Sequence, residues 1–391
     1  MRVLHVIPSV SSYHGGPTKA LEIMEQALSA AGMDVTTVTT DDAAPGRRLP
    51  AEAQPHRANG AARIYHRKWL EFYKVTPAVG PWLWRNVRNF DVVHIHALFS
   101  FTSTVAAFVS RWRGVPYIVR PLGTLTVYGV KHRRALLKQV SLALLEGRIL
   151  RHAAAVHFTA QAEWDEAKLL GLQLNGAVVP LGVASEAPGN PQRILAAHPE
   201  FRGRRVILYL SRLDPKKNVE GLLHAFASLT ERRSGLALLI AGSGPPAYTA
   251  SLESLASSLG IAKRIAWLGH VEGERKAAAL SLAEVFVLPS FSENFGIAAV
   301  EALQAGLPCV LSSNVAVAQD VQGTGAGLVV APEPDAIARA LDELLADENL
   351  RTDAGRRARE LAERKFSVDA MSRGLAALYQ SVTSSNDTAR A

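Results

Sequence analysis

The sequence predicts an α/β protein with two doubly wound domains, each built on a parallel sheet. Short β-rich runs alternate with longer amphipathic stretches along the chain, which is the pattern of α/β units. The length of 391 residues exceeds that of a typical single domain of about 100–200 residues. A passage with Gly, Pro, Ala and Asn and no clear period, 181–192, is interpreted as the linker between the halves.

In the first half, β-rich runs predict six strands, and stretches of helical period between them predict four helices. The predicted strands cover 2–7, 34–39, 92–96, 117–120, 155–158 and 177–179, and the predicted helices cover 18–31, 102–112, 133–151 and 162–170. We place the first domain at 1–184.

The second half repeats this alternation. Its predicted strands cover 206–210, 237–241, 265–268, 285–288, 309–311 and 327–330, and its predicted helices cover 219–229, 248–259, 272–283, 297–305, 333–346, 350–365 and 367–382. We place the second domain at 185–366. The polar end of the chain, 383–391, predicts a flexible tail, and two facing domains of this kind predict a ligand cleft between them.

Composition excludes several classes of protein. Hydrophobic residues make up 48% of the chain and charged residues 20%, the balance of an ordinary folded enzyme. The single cysteine, Cys309, excludes a disulfide framework and a cysteine-based metal site. No apolar run reaches the roughly 20 residues that span a bilayer, and the first eight residues are too short for a signal sequence. We therefore expect a cytoplasmic protein.

The positive charge is concentrated in the first half. The net charge is +8, and residues 1–180 contain 21 Lys and Arg against 12 Asp and Glu. Within 111–151 there are nine basic residues and one acid, Glu146. This density favours an anionic partner.

Two carboxylates flank a predicted helix start in 289–301. Glu293 lies in a loop after a predicted strand, and Glu301 lies about two turns into the helix. The loop glycine Gly296 and the first helical residues offer free N–H groups to a phosphate, while Glu301 is placed to accept hydrogen bonds from sugar hydroxyls. The alternative is a solvated loop acid and a surface helix acid.

A second loop of the same kind carries cations. In 209–218 a strand end feeds a loop that contains Arg212 and Lys217, ahead of a helix. Arg binds a diphosphate through its fork, and Lys acts as a point charge, so both would stabilise charge on a departing phosphate. The alternative is a solvated basic loop.

Glycine and histidine positions are weaker indications. Gly15-Gly16 and the pair Gly242 and Gly244 each follow a strand, but neither forms the full G-x-G-x-x-G fingerprint, which argues against a nicotinamide dehydrogenase. His96 ends a strand, with His94 two residues back on the same face; a core or rim histidine is the alternative. No cluster has metal-ligand spacing, so we expect no metal.

Taken in order, these segments resemble the retaining glycosyltransferases of family 4, which have the GT-B fold. The resemblance covers nearly the whole chain. It is carried by the Gly15-Gly16 loop, 91–96, 121–123, 158–163, 180–183, 211–217, 241–244, 268–271, and the E-x7-E block 293–301 with 302–308.

The resemblance implies a nucleotide-sugar donor held mainly by the second domain, an acceptor held mainly by the first, and a last helix that returns to the first domain. The implied catalytic residues are His96, Arg212, Lys217 and Glu293. The implied donor-binding residues are Gly15, Gly16, Arg212, Lys217, Gly242, Gly244, His270, Val271, Glu293, Phe295, Gly296, Ile297 and Glu301. The implied reaction retains the anomeric configuration, with the departing diphosphate helping to take the acceptor proton, and needs neither metal nor cofactor.

Some positions depart from the family pattern. Ser211 replaces the usual glycine before Arg212, and Leu181 follows Pro180, which puts a side-chain role for that loop in doubt. The segment 120–125 looks like the branch that builds bacterial exopolysaccharides, O-antigens and lipid-linked glycans. The donor is expected to be UDP- or GDP-linked, and the acceptor to be a glycan or a lipid-linked glycan.

The basic helical stretch 131–145 suggests a peripheral site on the inner face of the cell membrane. Its cations alternate with apolar residues, which suits an anionic leaflet near a lipid-linked acceptor; the proposed contacts are Lys131, Arg133, Arg134 and Lys138. A core-facing helix with a solvated basic face is the alternative.

The competing function is a basic protein of the same fold that binds polyanions or nucleic acid without transferase activity. No nucleic-acid motif supports it, so no nucleic-acid partner is expected. A sugar phosphorylase or an epimerase is disfavoured too, for lack of a pyridoxal-phosphate lysine context and because of the E-x7-E motif.

Overall fold

The computed structural model describes residues 1–125 and 140–388 and divides the chain into two units. Unit 1 comprises Met1–Gly182 and Val368–Ala391, and unit 2 comprises Val183–Ser367. Each has a mainly parallel sheet between helices, which confirms the predicted α/β class with two Rossmann-like sheets. The predicted helix over 133–151 lies partly outside the described residues, as do Lys131, Arg133, Arg134 and Lys138.

Unit 1 contains ten described strands. They are β1 (Arg2–Val6), β2 (Asp34–Thr40), β3 (Asp42–Ala44), β4 (Arg47–Arg48), β5 (Arg57–Ala58), β6 (Ala61–His66), β7 (Val92–His96), β8 (Tyr117–Arg120), β9 (Ala155–Phe158) and β10 (Gly176–Val178). Eight form one sheet in the order β10-β9-β8-β7-β1-β2-β6-β5, in which only β5 is antiparallel to its neighbour. The short hairpin β3-β4 is separate. The order reverses between β1 and β7.

The described helices of unit 1 connect these strands. They are α1 (Gly16–Ala30), α2 (Val79–Asn86), α3 (Phe101–Arg113), α4 (Gly147–Arg151), α5 (Gln161–Lys168) and the C-terminal α14 (Val368–Thr388). A π-helical turn, Leu142–Glu146, precedes α4. Apolar residues of the strands and of α2, α3 and α4 form one buried core.

Unit 2 has a single sheet that is parallel throughout. Its strands are β11 (Arg205–Leu210), β12 (Leu236–Ala241), β13 (Ile265–Gly269), β14 (Val285–Leu288), β15 (Cys309–Ser312) and β16 (Gly327–Val330). The order β13-β12-β11-β14-β15-β16 is that of a dinucleotide-binding Rossmann sheet. Every residue of β12 and β14 is buried, as expected for strands covered on both faces.

The helices of unit 2 cover both faces of its sheet. They are α6 (Gln192–Ala197), α7 (Val219–Arg232), α8 (Pro246–Ser258), α9 (Gly273–Leu282), α10 (Ile297–Ala305), α11 (Ala318–Thr324), α12 (Pro334–Ala346) and α13 (Glu348–Leu361). The sequence prediction missed α2, α6 and α11, which are short, and the strands β3, β4, β5 and β6. The helix predicted over 350–365 is α13 followed by a π-helical turn, Ala362–Phe366, and α14 continues past the helical end predicted at Val382.

Candidate functional site

The strand order of unit 2 locates its ligand site. In an open parallel sheet, ligands bind beyond the carboxyl ends of the strands at the point where the strand order reverses. In unit 2 that point lies between β11 and β14. The loop after β11 carries Arg212 and Lys217, and the loop after β14 carries Glu293 and Gly296. The sheet therefore brings both predicted loops to the same place.

The loop after β11 is fixed by its own polar groups. The Asp214 carboxylate accepts a hydrogen bond from the Lys216 N–H at 3.0 Å and caps the turn Pro215–Lys217. Asn218 follows with a left-handed φ of 56°, and its side-chain amide donates to the carbonyls of Pro289, at 3.1 Å, and Pro332, at 2.7 Å. Lys217 is held between these anchors and is only 8% exposed.

The loop after β14 is fixed through its backbone. The Glu293 N–H donates to the Asn314 carbonyl at 3.1 Å, and the Glu293 carbonyl accepts from Ala316 N–H at 3.0 Å. The carboxylate of Glu293 accepts a hydrogen bond from the Lys217 ammonium. The two residues that the sequence singled out on separate loops thus form an ion pair.

The start of α10 adds backbone donors to this pair. Gly296 precedes the helix with a φ of 98°, a conformation that favours glycine. Phe295 is buried and packs edge to face on Phe366, with ring centroids 5.8 Å apart. The N–H groups of Ile297 and its neighbours in the first turn have no acceptor inside the helix. This helix start and the Lys217 ammonium together favour an anionic ligand such as a phosphate.

Arg212 is exposed, in contrast to Lys217. It has no ion-pair partner among the described residues, and its carbonyl accepts a hydrogen bond from the Tyr209 hydroxyl at 3.1 Å. Burial raises the pKa of Tyr209, so this hydroxyl is a lasting donor. A free guanidinium on an anchored backbone can turn towards a diphosphate without breaking an existing ion pair.

Glu301 lies in an ion-paired group that the sequence did not indicate. Its carboxylate contacts the Lys276 ammonium on α9 at 2.7 Å, and the same ammonium contacts Glu186 of the segment before α6 at 2.9 Å. Burial raises the pKa of Glu301 even though Lys276 opposes that change. Burial also opposes the charge of Lys276, but its two carboxylate partners hold its pKa above the ordinary value. Lys276 therefore fixes the position of the Glu301 carboxylate.

The predicted glycines of unit 2 have a packing role. A Cβ on Gly242 would lie 1.7 Å from the Ser211 carbonyl oxygen, and one on Gly244 would lie 2.2 Å from that of Leu213. Only glycine lets the loop after β12 pack this closely on the loop that carries Arg212. These residues shape the site without needing to touch a ligand.

The remaining predicted residues of unit 2 lie after β13. His270 is exposed and its ring contacts the Glu272 carboxylate at 2.8 Å, whereas Val271 is buried. A cavity of about 990 Å³ lies between the segment before α6 and the helices α9, α10 and α13; Glu301, Lys276 and Glu186 line it, and Arg212, Lys217 and Glu293 do not. The switch point of the sheet brings Arg212, Lys217 and Glu293 together, whereas Glu301 lines this cavity.

In unit 1 the strand order reverses between β1 and β7, and the loops there are open or strained. Gly15 has a φ of 65°, and a Cβ on Gly15 or Gly16 would meet nothing within 4 Å. Ala97 and Phe99, after β7, and Leu122, after β8, also have positive φ. Such strain in residues other than glycine is concentrated at functional sites.

His96 lies in a fully buried histidine cluster of unit 1. Its ring nitrogen is 2.6 Å from that of His5, and its ring stacks on that of His94 with centroids 4.3 Å apart. His94 also contacts the Tyr379 hydroxyl of α14, at 2.8 Å, and the ring of His157, at 3.3 Å. Burial, together with the positive charge of Arg120, lowers the pKa of His5 and of His157 to about 3. His96 has no exposed surface here, so its predicted contact with a donor sugar stays a prediction.

The same cluster is the candidate for a metal centre. The ring nitrogens of His5, His94 and His96 lie within 4.8 Å of one another, and neutral imidazole is a metal ligand. Buried Arg120 stands beside them, and although burial lowers its pKa to about 10, it stays charged at neutral pH. This charge opposes a divalent cation, so the cluster fits a metal poorly.

Comparison with known proteins matches both units to glycosyl transferase families. Residues 15–182 match the family described as Glycosyl transferase 4-like domain, and residues 192–361 match Glycosyl transferases group 1. The matched residues include the Gly15 loop and Lys217, Glu293 and Glu301. Within the described residues, no helix has the length and apolar character to cross a membrane.

Curated relatives and solved structures are similar to the chain over different extents. A D-inositol 3-phosphate glycosyltransferase of Frankia alni is 30% identical over 67% of this chain and 67% of its own. A GDP-mannose-dependent alpha-(1-6)-phosphatidylinositol monomannoside mannosyltransferase of Mycobacterium tuberculosis is 33% identical over 44% of this chain and 46% of its own. The chain spans about half the length of the first curated relatives it matches. The Anabaena protein HepE, solved with UDP and glucose, is 17% identical with a TM-score of 0.74 over 97% of this chain and 100% of its own, a likeness of fold.

Proposed function

Because the chain belongs to the family of group 1 glycosyl transferases, we propose that it transfers a sugar from a nucleoside diphosphate sugar to a glycan or lipid-linked acceptor. The observation that carries the proposal is the ion pair of Lys217 and Glu293 beside the start of α10, at the switch point of the unit 2 sheet. A cation, a helix N-terminus and a carboxylate at one place suit a phosphate that carries a sugar.

Each group has a separate task in this proposal. Lys217 and Arg212 bind the diphosphate and stabilise the negative charge that grows on it as the bond to the sugar breaks. Glu293 lies by the donor sugar, and entry of the diphosphate draws Lys217 away from it. Glu301, positioned by Lys276, accepts hydrogen bonds from the ribose hydroxyls. No metal or cofactor is assigned a role.

We also propose that the transfer retains the anomeric configuration and serves the synthesis of a bacterial surface polysaccharide. The resemblance to family 4 and the spacing of Glu293 and Glu301 support this. In that chemistry, the bond from the anomeric carbon to the diphosphate breaks, the acceptor oxygen bonds to that carbon, and the acceptor proton passes to the departing phosphate. Two of the similar proteins, one dependent on GDP-mannose and one solved with UDP, favour a GDP or UDP donor.

The test is a thermal-shift series with UDP, GDP, ADP and their common sugar conjugates. A ligand that binds only the folded state raises the unfolding temperature, so the donor nucleotide should give a clear shift. Hydrolysis or transfer is then followed with that donor, and the anomeric configuration of the product is read by NMR.

Two control variants make the test specific. Lys217→Met should lose most of the shift with the nucleoside diphosphate, whereas Lys263→Met, an exposed lysine after α8 in the same unit, should keep it. If no nucleotide shifts the unfolding of the wild-type protein, the proposed function is wrong.

A further inference from the structure

Two tryptophans lie side by side on the surface of unit 1. Trp84 is on α2 and is 45% exposed, and Trp112 is on α3 and is 77% exposed. Their rings meet edge to face with centroids 6.2 Å apart. Apolar residues exposed singly are common on protein surfaces, but two adjacent indoles expose a large apolar area. An adjacent pair of this kind points to a binding partner.

Four arginines lie at the ends of the same helices as this pair. They are Arg85 and Arg88, which end α2 and the turn after it, and Arg111 and Arg113, which end α3. None forms an ion pair with an acid of the described residues. The Arg113 guanidinium lies over the Trp84 ring, 4.9 Å from its centroid. We call this set, Trp84, Arg85, Arg88, Arg111, Trp112 and Arg113, the Trp–Arg surface.

The Trp–Arg surface is poor in acids. Between residues 79 and 113, the only acid is Asp91. Its carboxylate already accepts a hydrogen bond from the Arg2 backbone N–H at 2.7 Å. The positive charge of the arginines is therefore not neutralised locally, and an anionic partner would be attracted to them.

The topology places this surface at the amino edge of the unit 1 sheet. α2 and its following turn end just before β7 begins at Val92, and α3 ends just before β8 begins at Tyr117. α4 ends in the same way before β9, with exposed Arg151 in its last turn. The ligand loops of the sheet lie at the opposite, carboxyl edge.

A groove extends the surface towards α4. It has a volume of about 400 Å³, and its lining includes Arg111, Tyr117, His152 and Asn175. Arginine, histidine and amide donors at the wall of a small groove suit an anionic headgroup. The groove thus continues the cationic character of the Trp–Arg surface.

Helix termini explain the arginines in part. A cation in the last turn of a helix stabilises the helix dipole and binds its free carbonyls, and the Arg88 side chain contacts the Arg113 carbonyl at 3.4 Å in this way. This explanation does not extend to the tryptophans, because a dipole does not favour exposed indole rings. Tryptophan with arginine is instead the combination found where a protein meets the interface of a bilayer.

We propose that the Trp–Arg surface docks unit 1 on an anionic lipid bilayer, with the two indoles at the headgroup level and the arginines on lipid phosphates. Nucleic acid is the lesser fit, because Arg113 already covers a face of Trp84 that a base would need for stacking. The proposal goes beyond the proposed function, because it concerns the edge of the sheet opposite the ligand loops. Docking itself needs no donor and no transfer.

The experiment measures binding to vesicles by co-sedimentation and tryptophan fluorescence. One set of vesicles is phosphatidylcholine alone, and the other is phosphatidylcholine mixed with phosphatidylglycerol. The wild-type protein should bind the anionic vesicles, with a blue shift in emission, and should be released at about 1 M salt. Arg85→Gln and Arg111→Gln should each lower the partition coefficient about fivefold, and Trp112→Ser about tenfold.

The chain offers a matched control in Trp69, which is 66% exposed in the loop after β6, at the carboxyl edge. Trp69→Ser should leave vesicle binding unchanged. Each variant is checked by thermal unfolding and by its shift with the donor nucleotide, which reports on unit 2 and is unaffected by docking. A failure of the nucleotide shift alone would count against the proposed function and not against docking.

Three results would overturn the proposal. They are no binding to either kind of vesicle, binding that Trp112→Ser and Arg111→Gln leave unchanged in folded protein, and salt-sensitive binding to single-stranded RNA without binding to vesicles. The last result would assign the Trp–Arg surface to a polyanion.

Discussion

Lys217→Ala tests the proposed site most directly. The Lys217 side chain is only 10% exposed, is anchored by the turn before Asn218 and contacts the Glu293 carboxylate. Loss of one fixed electrostatic donor at a reacting centre typically lowers the rate about 10²–10³-fold. We expect a fall of that size in kcat/KM, mostly in kcat, because the charge on the phosphate grows as the bond breaks.

The same substitution should have a modest effect on stability. A hydrogen bond to a charged group contributes about 1.5–3 kcal/mol when both partners are buried. The Glu293 side chain is 21% exposed and can be rehydrated, so we expect a loss of about 1–2 kcal/mol in the free energy of unfolding. For a unit of this size the unfolding temperature would fall by about 2–8 °C, which leaves the protein folded at assay temperature.

The assay compares steady-state transfer, with the donor found by thermal shift, for three variants. Lys217→Arg keeps the charge and should recover part of the activity. Lys216→Ala changes the exposed neighbour in the same turn and should keep activity within about threefold. A folded Lys217→Ala protein with a wild-type rate would refute the role of this ammonium.

Three further substitutions or conditions address the supporting structure. Lys276→Met should raise KM for the donor about tenfold with little change in kcat, because Glu301 loses the cation that positions it. The measurement compares binding of the ribonucleotide with binding of its 2′,3′-dideoxy form, and the variant should bind the two equally. Gly242→Ala should lower the free energy of unfolding by about 2–4 kcal/mol or prevent folding, because its Cβ would overlap a carbonyl oxygen; denaturant unfolding measures this. Unit 1 should lose stability as the pH falls from about 6.5 to about 3. In that range His5 and His157 bind protons in the unfolded chain but not in the folded one, where their pKa values are about 3. Urea unfolding at pH 7 and pH 5 measures the difference in the free energy of unfolding.

Each of these predictions has a control in the chain. Lys263→Met is the counterpart of Lys276→Met on an exposed site. Gly323→Ala places a Cβ that meets nothing within 4 Å and should be tolerated. His152→Gln removes an exposed histidine and should leave the pH dependence of unfolding unchanged. A pH-independent stability of the wild-type protein would contradict the burial of neutral histidines.

The charged pair of unit 2 could be predicted because its neighbours in sequence define it. A buried strand, a loop with Lys217 and a helix are contiguous, and so are β14, Glu293 and Gly296. Parallel pairing then brings both loops to one edge. The role of Lys276 could not be predicted, because its contact with Glu301 depends on how α9 and α10 pack beside each other. The sequence around Lys276 does not distinguish it from a lysine on the surface.

The short helices were missed by the sequence prediction for a different reason. α2 contains Gly80 and Pro81, which argue against a helix, and tertiary packing of Val79 and Leu83 against the unit 1 core overrides them. The tryptophans of α2 and α3 illustrate the same limit, since an apolar residue in an amphipathic pattern predicts burial. Only the fold shows that Trp84 and Trp112 lie on the solvent side.

Six strands of the unit 1 sheet, β6-β2-β1-β7-β8-β9, have the same order along the chain as the six strands of unit 2, and this explains why both sheets carry their unusual loops at a single edge. In each sheet, successive strands are added on one side of the first strand, β1 or β11, and the later strands are added on its other side. The loops that follow the two strands at this reversal point in opposite directions, which leaves room for a ligand between them. In unit 2 that room is bordered by Lys217 and Glu293, and in unit 1 by Gly15 and the strained turn after β7. The amino edge of the unit 1 sheet does not have to leave room for a ligand, because ligands bind beyond the carboxyl ends of the strands. Cations and indoles can accumulate there without disturbing a ligand site, and a docking surface at the amino edge leaves the carboxyl edge open to substrate.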